Sequence, residues 1–171
     1  NLRRTGTFSS ATVIEADAAT GDNLPLTISV VEQAPRRVGF GAEFSSVSGL
    51  TLSGFWMHRN LLGGAERFRV EGEVTGLSGG TGGIDYTLGV SFIRPATFRQ
   101  DNDLYAEALF TQLDEPSFFE RDASIEVGMI RRLRDDFVGE FGIGFAAGEV
   151  TDTLGTRTYS LISLPKVCEV P

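Results

Sequence analysis

The chain has 171 residues, a formal net charge of −8 and 41% hydrophobic residues, values that soluble α/β and all-β domains share. Its arginines are scattered and no basic run or RNA-type aromatic motif appears, which argues against a nucleic-acid partner. No apolar run reaches the roughly eighteen residues of a transmembrane helix, but a membrane barrel needs only about ten alternating residues per strand and is not excluded.

The glycine and phenylalanine content (21 and 13 residues) against 6 prolines tilts the chain towards sheet. Asn1 to Gly6 reads as the last turn of a helix, with Arg3 and Arg4 near its C-terminus and Gly6 as the stop. The first residue is not Met and no signal peptide precedes it, so the expectation is a chain that begins inside something larger or after processing. Phe8 to Ala16 reads as a strand, Thr20-Gly21-Asp22-Asn23 as a turn, and Leu26 to Glu32 as a second strand alternating Leu26, Ile28 and Val30. Pro35 marks a boundary, because it cannot donate to a ladder and restricts Ala34.

About eight alternating segments follow from Arg36. The first sets Val38, Phe40, Ala42 and Phe44 against Gly39, Gly41, Glu43 and Ser45. The second carries Leu50, Leu52, Gly54 and Trp56 on one face. The third sets Phe68, Val70, Gly72 and Val74 against Arg67, Arg69, Glu71 and Glu73. Four consecutive ionised side chains opposite an apolar or glycine face suit a sheet with one oily and one wet side. The fourth carries Tyr86, Leu88, Val90 and Phe92, and the fifth Leu104, Ala106, Ala108 and Phe110. The sixth carries Ala123, Ile125, Val127 and Met129 opposite Ser124, Glu126 and Gly128. The seventh carries Phe137, Phe141, Ile143 and Phe145 opposite Glu140, Gly142 and Gly144. The eighth, Thr158 to Leu164, has faces that hardly differ.

Connectors are expected to alternate, with Ser-, Gly- or acid-rich loops after odd strands (46–49, 78–83, 114–122, 151–157) and tighter ones after even strands (59–65, 95–102, 132–136). Trp56, Tyr86, Phe92, Tyr105, Phe137 and Tyr159 lie near strand ends, where an interfacial girdle would sit. Periodicity by itself also fits a soluble lipocalin-like barrel whose apolar face points inwards.

Chemistry is sparse. Gly142-Ile143-Gly144-Phe145-Ala146-Ala147-Gly148 lies in a strand pattern, opens no helix and has the wrong third spacing for a dinucleotide fingerprint. His58, the single histidine, has no second ligand at metal spacing and is expected to be an interfacial polar residue in a turn. No Ser-His-Asp set assembles around it. Glutamates of the wet faces could in principle form a hydrolytic pair, but a hydrated wall with Arg67 and Arg69 as counter-charges is the plainer reading. The single Cys168 can form no internal disulfide. No catalytic, cofactor or metal site is expected, and no enzyme.

Tryptophan 56, then His58-Arg59-Asn60-Leu61-Leu62-Gly63-Gly64-Ala65-Glu66-Arg67, follow a Gly-x-Gly strand. With Pro35 to Gly41, Asp85-Tyr86 to Phe92 before Arg94-Pro95, and Thr156 to Leu161, this wording resembles the Omp85 superfamily of outer-membrane barrels. Within it the likeness is to the TamA-type translocation and assembly subunits. The resemblance implies a mainly β fold, an antiparallel up-and-down transmembrane β-barrel. Residues 1–35 would be the C-terminal part of an α+β POTRA domain, and residues 36–171 the N-terminal half of the barrel.

The function implied is assembly and insertion of autotransporter or other β-barrel clients in the bacterial outer membrane, with the POTRA part in the periplasm. Outer-membrane lipid, a periplasm-spanning TamB-like protein and unfolded clients are the implied partners. Val38, Gly39, Phe40, Gly41, Ala42, Glu43 and Phe44 would form the client-pairing first strand, with Gly39 and Gly41 weakening its packing and letting it bend. Trp56, His58, Arg59, Asn60, Leu61, Gly63, Glu66 and Arg67 form the family turn motif. The Lys166–Pro171 tail does not continue the family pattern, so a partial product, inactive alone, is expected. A soluble lipocalin-like ligand binder and a passive outer-membrane pore or surface antigen remain the alternatives.

Overall fold

A computed structural model describes residues 6–15, 25–79, 82–134, 137–163 and 167–169. The helix end expected before Gly6 and the turn expected at 20–23 lie outside these residues. Every regular element among the described residues is a strand. Strands β1 (Phe8–Glu15) and β2 (Leu26–Glu32) pair antiparallel as a two-stranded sheet. The second sheet runs in strict chain order through β3 (Arg36–Ser45), β4 (Gly49–Arg59), β5 (Arg67–Thr75), β6 (Asp85–Arg94), β7 (Asn102–Glu115), β8 (Phe118–Arg134), β9 (Phe137–Asp152) and β10 (Gly155–Ser163). Each neighbouring pair is antiparallel, so the eight strands form the up-and-down meander that the alternation implies. A short β11 (Val167–Glu169) pairs with residues 137–139 of β9, further along the side that β10 occupies.

Register fixes the faces, because residues directly opposite one another share a face and a slip of one would invert them all. Val38, Trp56, Val70, Val90, Ala108, Ile125 and Phe145 follow one another across seven strands, each opposite the next. The same ladders put Arg69, Glu71, Glu73, Glu126 and Glu140 on the other surface. The two faces differ in exposure, in the opposite sense to a soluble barrel. Phe40 is 89% exposed, Phe44 74% and Phe141 66%, all on the apolar face, whereas Met57 and Tyr105 on the charged face are buried. A concavity of about 500 Å³ also lies on the charged side, lined by Phe55, Arg69, Glu71 and Thr87. The wet face is therefore the inner one and the oily face the outer one. Leaving each large apolar side chain in water forfeits roughly 1.5–3 kcal/mol, so the outer face requires an apolar surrounding.

Three expectations change. The loops expected at 46–49, 114–122 and 151–157 are tight hairpins, with Ser45 opposite Gly49, Glu115 opposite Phe118, and Asp152 opposite Gly155. Strands β7, β8 and β9 thus reach 14, 17 and 16 residues, because a backbone ladder continues through polar side chains as readily as through apolar ones. The longer connectors are divided between the ends, 76–84 at this one and 60–66 and 95–101 at the other, so the expected contrast between ends is not kept. The girdle also loses two members, since Tyr105 and Tyr159 point to the inner face and hydrogen-bond carboxylates. The last strand of the meander starts at Gly155, not Thr158.

Candidate functional site

The first strand and the turn that follows β4 form one structural unit. β3 is the edge of the meander, paired on one side with β4 alone among the described residues. An antiparallel edge strand leaves the N–H and C=O groups of alternate residues pointing away from its only partner, a template for another strand. Val38, Phe40, Ala42 and Phe44 face outwards from this edge, and Gly39, Gly41 and Glu43 face inwards. Every residue of the expected pairing strand therefore lies on this edge, within a single ladder.

Gly39 has a more specific role than loosening the edge. A Cβ at this position would collide with the ring of Phe55 on β4, so the ring lies across the β3 backbone. The Arg69 guanidinium from β5 sits 4.1 Å from the Phe55 centroid, and Arg37 from β3 approaches at 5.8 Å. Arg69 is held in turn by Glu71, with Nε donating at 2.8 Å. The edge strand is thus clasped to its neighbours on the inner face by stacked, charged groups. Gly41 meets a weaker constraint, the rotatable Ser53 Oγ at 2.7 Å from its Cβ position.

The same device recurs at the other side of the sheet. The Tyr105 ring covers Gly128 and Gly142, and its hydroxyl donates to Glu126 at 2.6 Å. Tyr159 covers Gly148 and donates to Asp122 at 2.9 Å. In each case a glycine on a neighbouring strand leaves the space that an aromatic ring fills.

The turn motif of Trp56 to Arg67 divides by face and by role. Trp56 and His58 project outwards from β4, with Trp56 6.0 Å from His58 and edge-on to Phe68 at 6.0 Å. His58 is therefore a strand residue of the outer face rather than a turn residue. Arg59 ties the turn to the lead-in segment: its N–H donates to the Pro35 carbonyl at 2.6 Å and its guanidinium to the Ala34 carbonyl at 3.1 Å. Asn60 and Ala65 adopt left-handed backbone (φ 60° and 63°), as does Gly63 (φ 89°). Asn60 suits such a position because its side chain closes the loop locally, accepting from the Ala65 N–H at 2.9 Å. Leu61 is exposed, and Arg67 begins β5 with its guanidinium against Gly6.

Glu66 is the centre of this turn. It is 1% exposed, and one carboxylate oxygen accepts from the N–H groups of Leu62 (3.2 Å) and Gly64 (3.0 Å). Its other oxygen lies 3.7 Å from Arg94 of β6. Burial pushes this carboxyl up, but the donated backbone N–H bonds and Arg94 outweigh it and hold it below the ordinary glutamate range. The sequence placed Glu66 in the motif but gave no sign that it is buried; the left-handed-tolerant Asn60, Gly63 and Gly64 around one carboxylate were the available signal. Arg94 and the Asp103–Arg132 pair (2.7 Å), which laces the next turn to β8, carried no sequence signal. Among the described residues no cluster of His, Cys, Asp and Glu could hold a metal ion.

No family model matches the chain, and no curated protein matches it. Solved structures do. The chain is similar to BamA from Haemophilus ducreyi lacking POTRA domains 1–3, with a TM-score of 0.65 and 12% sequence identity. The match covers 95% of this chain and 35% of that one, so the chain spans about a third of its length. What the two share at this identity is the fold: an antiparallel β architecture of the BamA kind, present here as an unclosed sheet.

Proposed function

We propose that this chain is part of an outer-membrane assembly factor, which inserts autotransporter or other β-barrel clients and performs no catalysis of its own. The observation that carries the reading is the open β3 edge on a sheet whose apolar side is exposed and whose charged side is concave. In hydrocarbon an unpaired edge costs several kcal/mol per group, so it must pair with something; an extended client strand satisfies it in the geometry of another ladder. Residues 1–35 are assigned to the end of a POTRA domain on the periplasmic side, and residues 36–171 to the first half of the barrel. A TamA-type subunit with a TamB-like, periplasm-spanning partner is the specific form we favour, on the motif wording of Trp56 to Arg67. The outward exposure of Phe40, Phe141 and Ile143 disfavours a lipocalin-like binder, which would bury them. A passive pore shares every one of these features except the use of the edge.

The use of the edge is the testable part. A cysteine replacing Ala42 in the membrane-embedded protein is expected to form a disulfide with a cysteine in the terminal strand of an autotransporter caught during secretion. A cysteine replacing Ser91, in the middle of the sheet, is expected not to. Equal crosslinking at both positions, or at neither, would reject the assembly role. Expressed alone in a strain lacking its full-length counterpart, the chain is expected to leave autotransporter secretion at the level of the deletion.

A further inference from the structure

The two ends of the meander differ in charge. At the end where the lead-in enters, strand termini and turns carry Arg36, Arg37, Arg59, Arg67, Arg94, Arg99, Arg131 and Arg132, against Glu66, Asp101, Asp103 and Glu169 among the described residues there. At the hairpin end the balance inverts, with Asp85, Asp114, Glu115, Glu120, Asp122, Glu149 and Asp152 against Arg121 and Arg157.

Register sorts the arginines further. Arg36 lies opposite His58, Arg94 opposite Leu104, and Arg131 opposite Gly139, so all three belong to the outer, apolar face. Arg37, Arg59, Arg67 and Arg132 belong to the inner face. Arg36 and Arg94 stand at the rim of the aromatic cluster of Trp56 and Phe68, with Phe92 beside it, and Arg131 lies at the same end on β8, between Asn102 and Gly139. Arg99 lies in the adjacent turn, where Phe98 is 88% exposed with left-handed backbone (φ 64°). The neighbouring turn presents Leu62, 72% exposed. On the outer face at the opposite end Arg121 lies 3.8 Å from Glu149, and Asp114, opposite Phe119, adds a further negative charge.

We propose that a collar of Arg36, Arg94 and Arg131 on the outer face, with Arg99 in the adjacent turn, binds the headgroups of anionic phospholipids in the leaflet next to the lead-in end, with Leu62 and Phe98 dipping beside them. The proposal rests on the outer-membrane reading above. Its chemistry follows from position. An arginine on the oily face, just beyond an aromatic belt, sits at headgroup depth, where its planar guanidinium matches a phosphate with two parallel N–H donors. A protein partner arriving from the lead-in side would instead meet the turns and the inner-facing arginines. The outer-face arginines meet lipid, and their positive sign selects an anionic one.

The test is lipid selectivity of the chain reconstituted in vesicles of phosphatidylcholine and phosphatidylglycerol in equal parts, read from spin-labelled analogues of each. Arg94 holds Glu66, so the variant is Arg36→Gln/Arg99→Gln/Arg131→Gln, with Arg121→Gln/Arg157→Gln as the opposite-end control. Wild type and the control are expected to restrict phosphatidylglycerol about fivefold over phosphatidylcholine at low salt, falling towards unity in the triple variant and in high salt. Equal restriction of both lipids by wild type, or a preference that survives the triple substitution, would overturn the collar; a collar serving a protein would give the first of these. If neither lipid is restricted, the chain is not in the bilayer, and the outer-membrane reading falls together with this inference.

Discussion

The two ends of the meander solve the same problem, reversing the chain, with different chemistry. At the hairpin end the β3–β4 and β9–β10 turns are closed by their own residues, while the longer β5–β6 connector is tied to its neighbours, Leu77 and Ser78 to Leu50 and Gly83 to Asp114. Ser45 Oγ accepts from the Val47 and Ser48 N–H groups, and Asp152 accepts from the Leu154 N–H and pairs with Arg157. At the lead-in end the turns are held by neighbours. Arg59 grips the Ala34 and Pro35 carbonyls, Glu66 meets Arg94 from the next hairpin, and Asp103 meets Arg132 from β8. One end combines self-closed hairpins with one tied connector, and the other is held by side-chain ties between neighbours. Ties between neighbouring turns couple their positions, whereas local closure leaves each turn to move alone.

Glu66 offers the sharpest way to break that contrast. Glu66→Ala leaves the Leu62 and Gly64 N–H groups and Arg94 without their acceptor, and is expected to cost about 3 kcal/mol. Glu66→Gln keeps an acceptor and is expected to cost about 1 kcal/mol. Urea midpoints of the chain refolded in detergent would measure both. Equal, small losses would mean that the lead-in end is no more interdependent than the hairpins.

The aromatic-over-glycine contacts come next. At Gly128 a Cβ would stand 2.5 Å from the Tyr105 ring and 2.6 Å from the Phe141 carbonyl, and backbone cannot rotate away. Gly128→Ala is expected to cost about 2 kcal/mol, whereas Gly41→Ala, opposed only by the Ser53 hydroxyl, is expected to cost about 0.5 kcal/mol. The same midpoints test the ranking, and a reversed order would show that these rings do not depend on their glycines.

Acid should separate the ends more gently. The Glu66 carboxyl is held below the ordinary glutamate range, so its stabilisation is complete above that range and is lost as pH falls through the lower, folded value. Hydrogen exchange at Leu62 and Gly64 is expected to accelerate in that window in wild type and to stay flat in Glu66→Gln. The smallest effect belongs to the hairpin end. Asp152→Asn removes an exposed pair with Arg157 and is expected to leave the urea midpoint unchanged, because solvent screens a pair in that position.

The sequence by itself determined the strands and their facing. A two-residue period is a property of each strand alone, so Phe68 to Val74 and Ile125 to Met129 could be read without knowing their neighbours. It did not determine which face is wet inside and which meets the surroundings, because the period is the same for either curvature. The exposure of Phe40 and the burial of Tyr105 decided that. Strand ends were misjudged wherever polar residues continued a ladder, as at Asp114 to Asp122, since backbone pairing depends on the opposite strand and not on local hydropathy. The Phe55 ring over Gly39, Tyr105 over Gly128 and Glu66 beside Arg94 likewise depended on tertiary structure. Each joins residues that register brings together from different strands, and no local pattern in the chain specifies register over such distances.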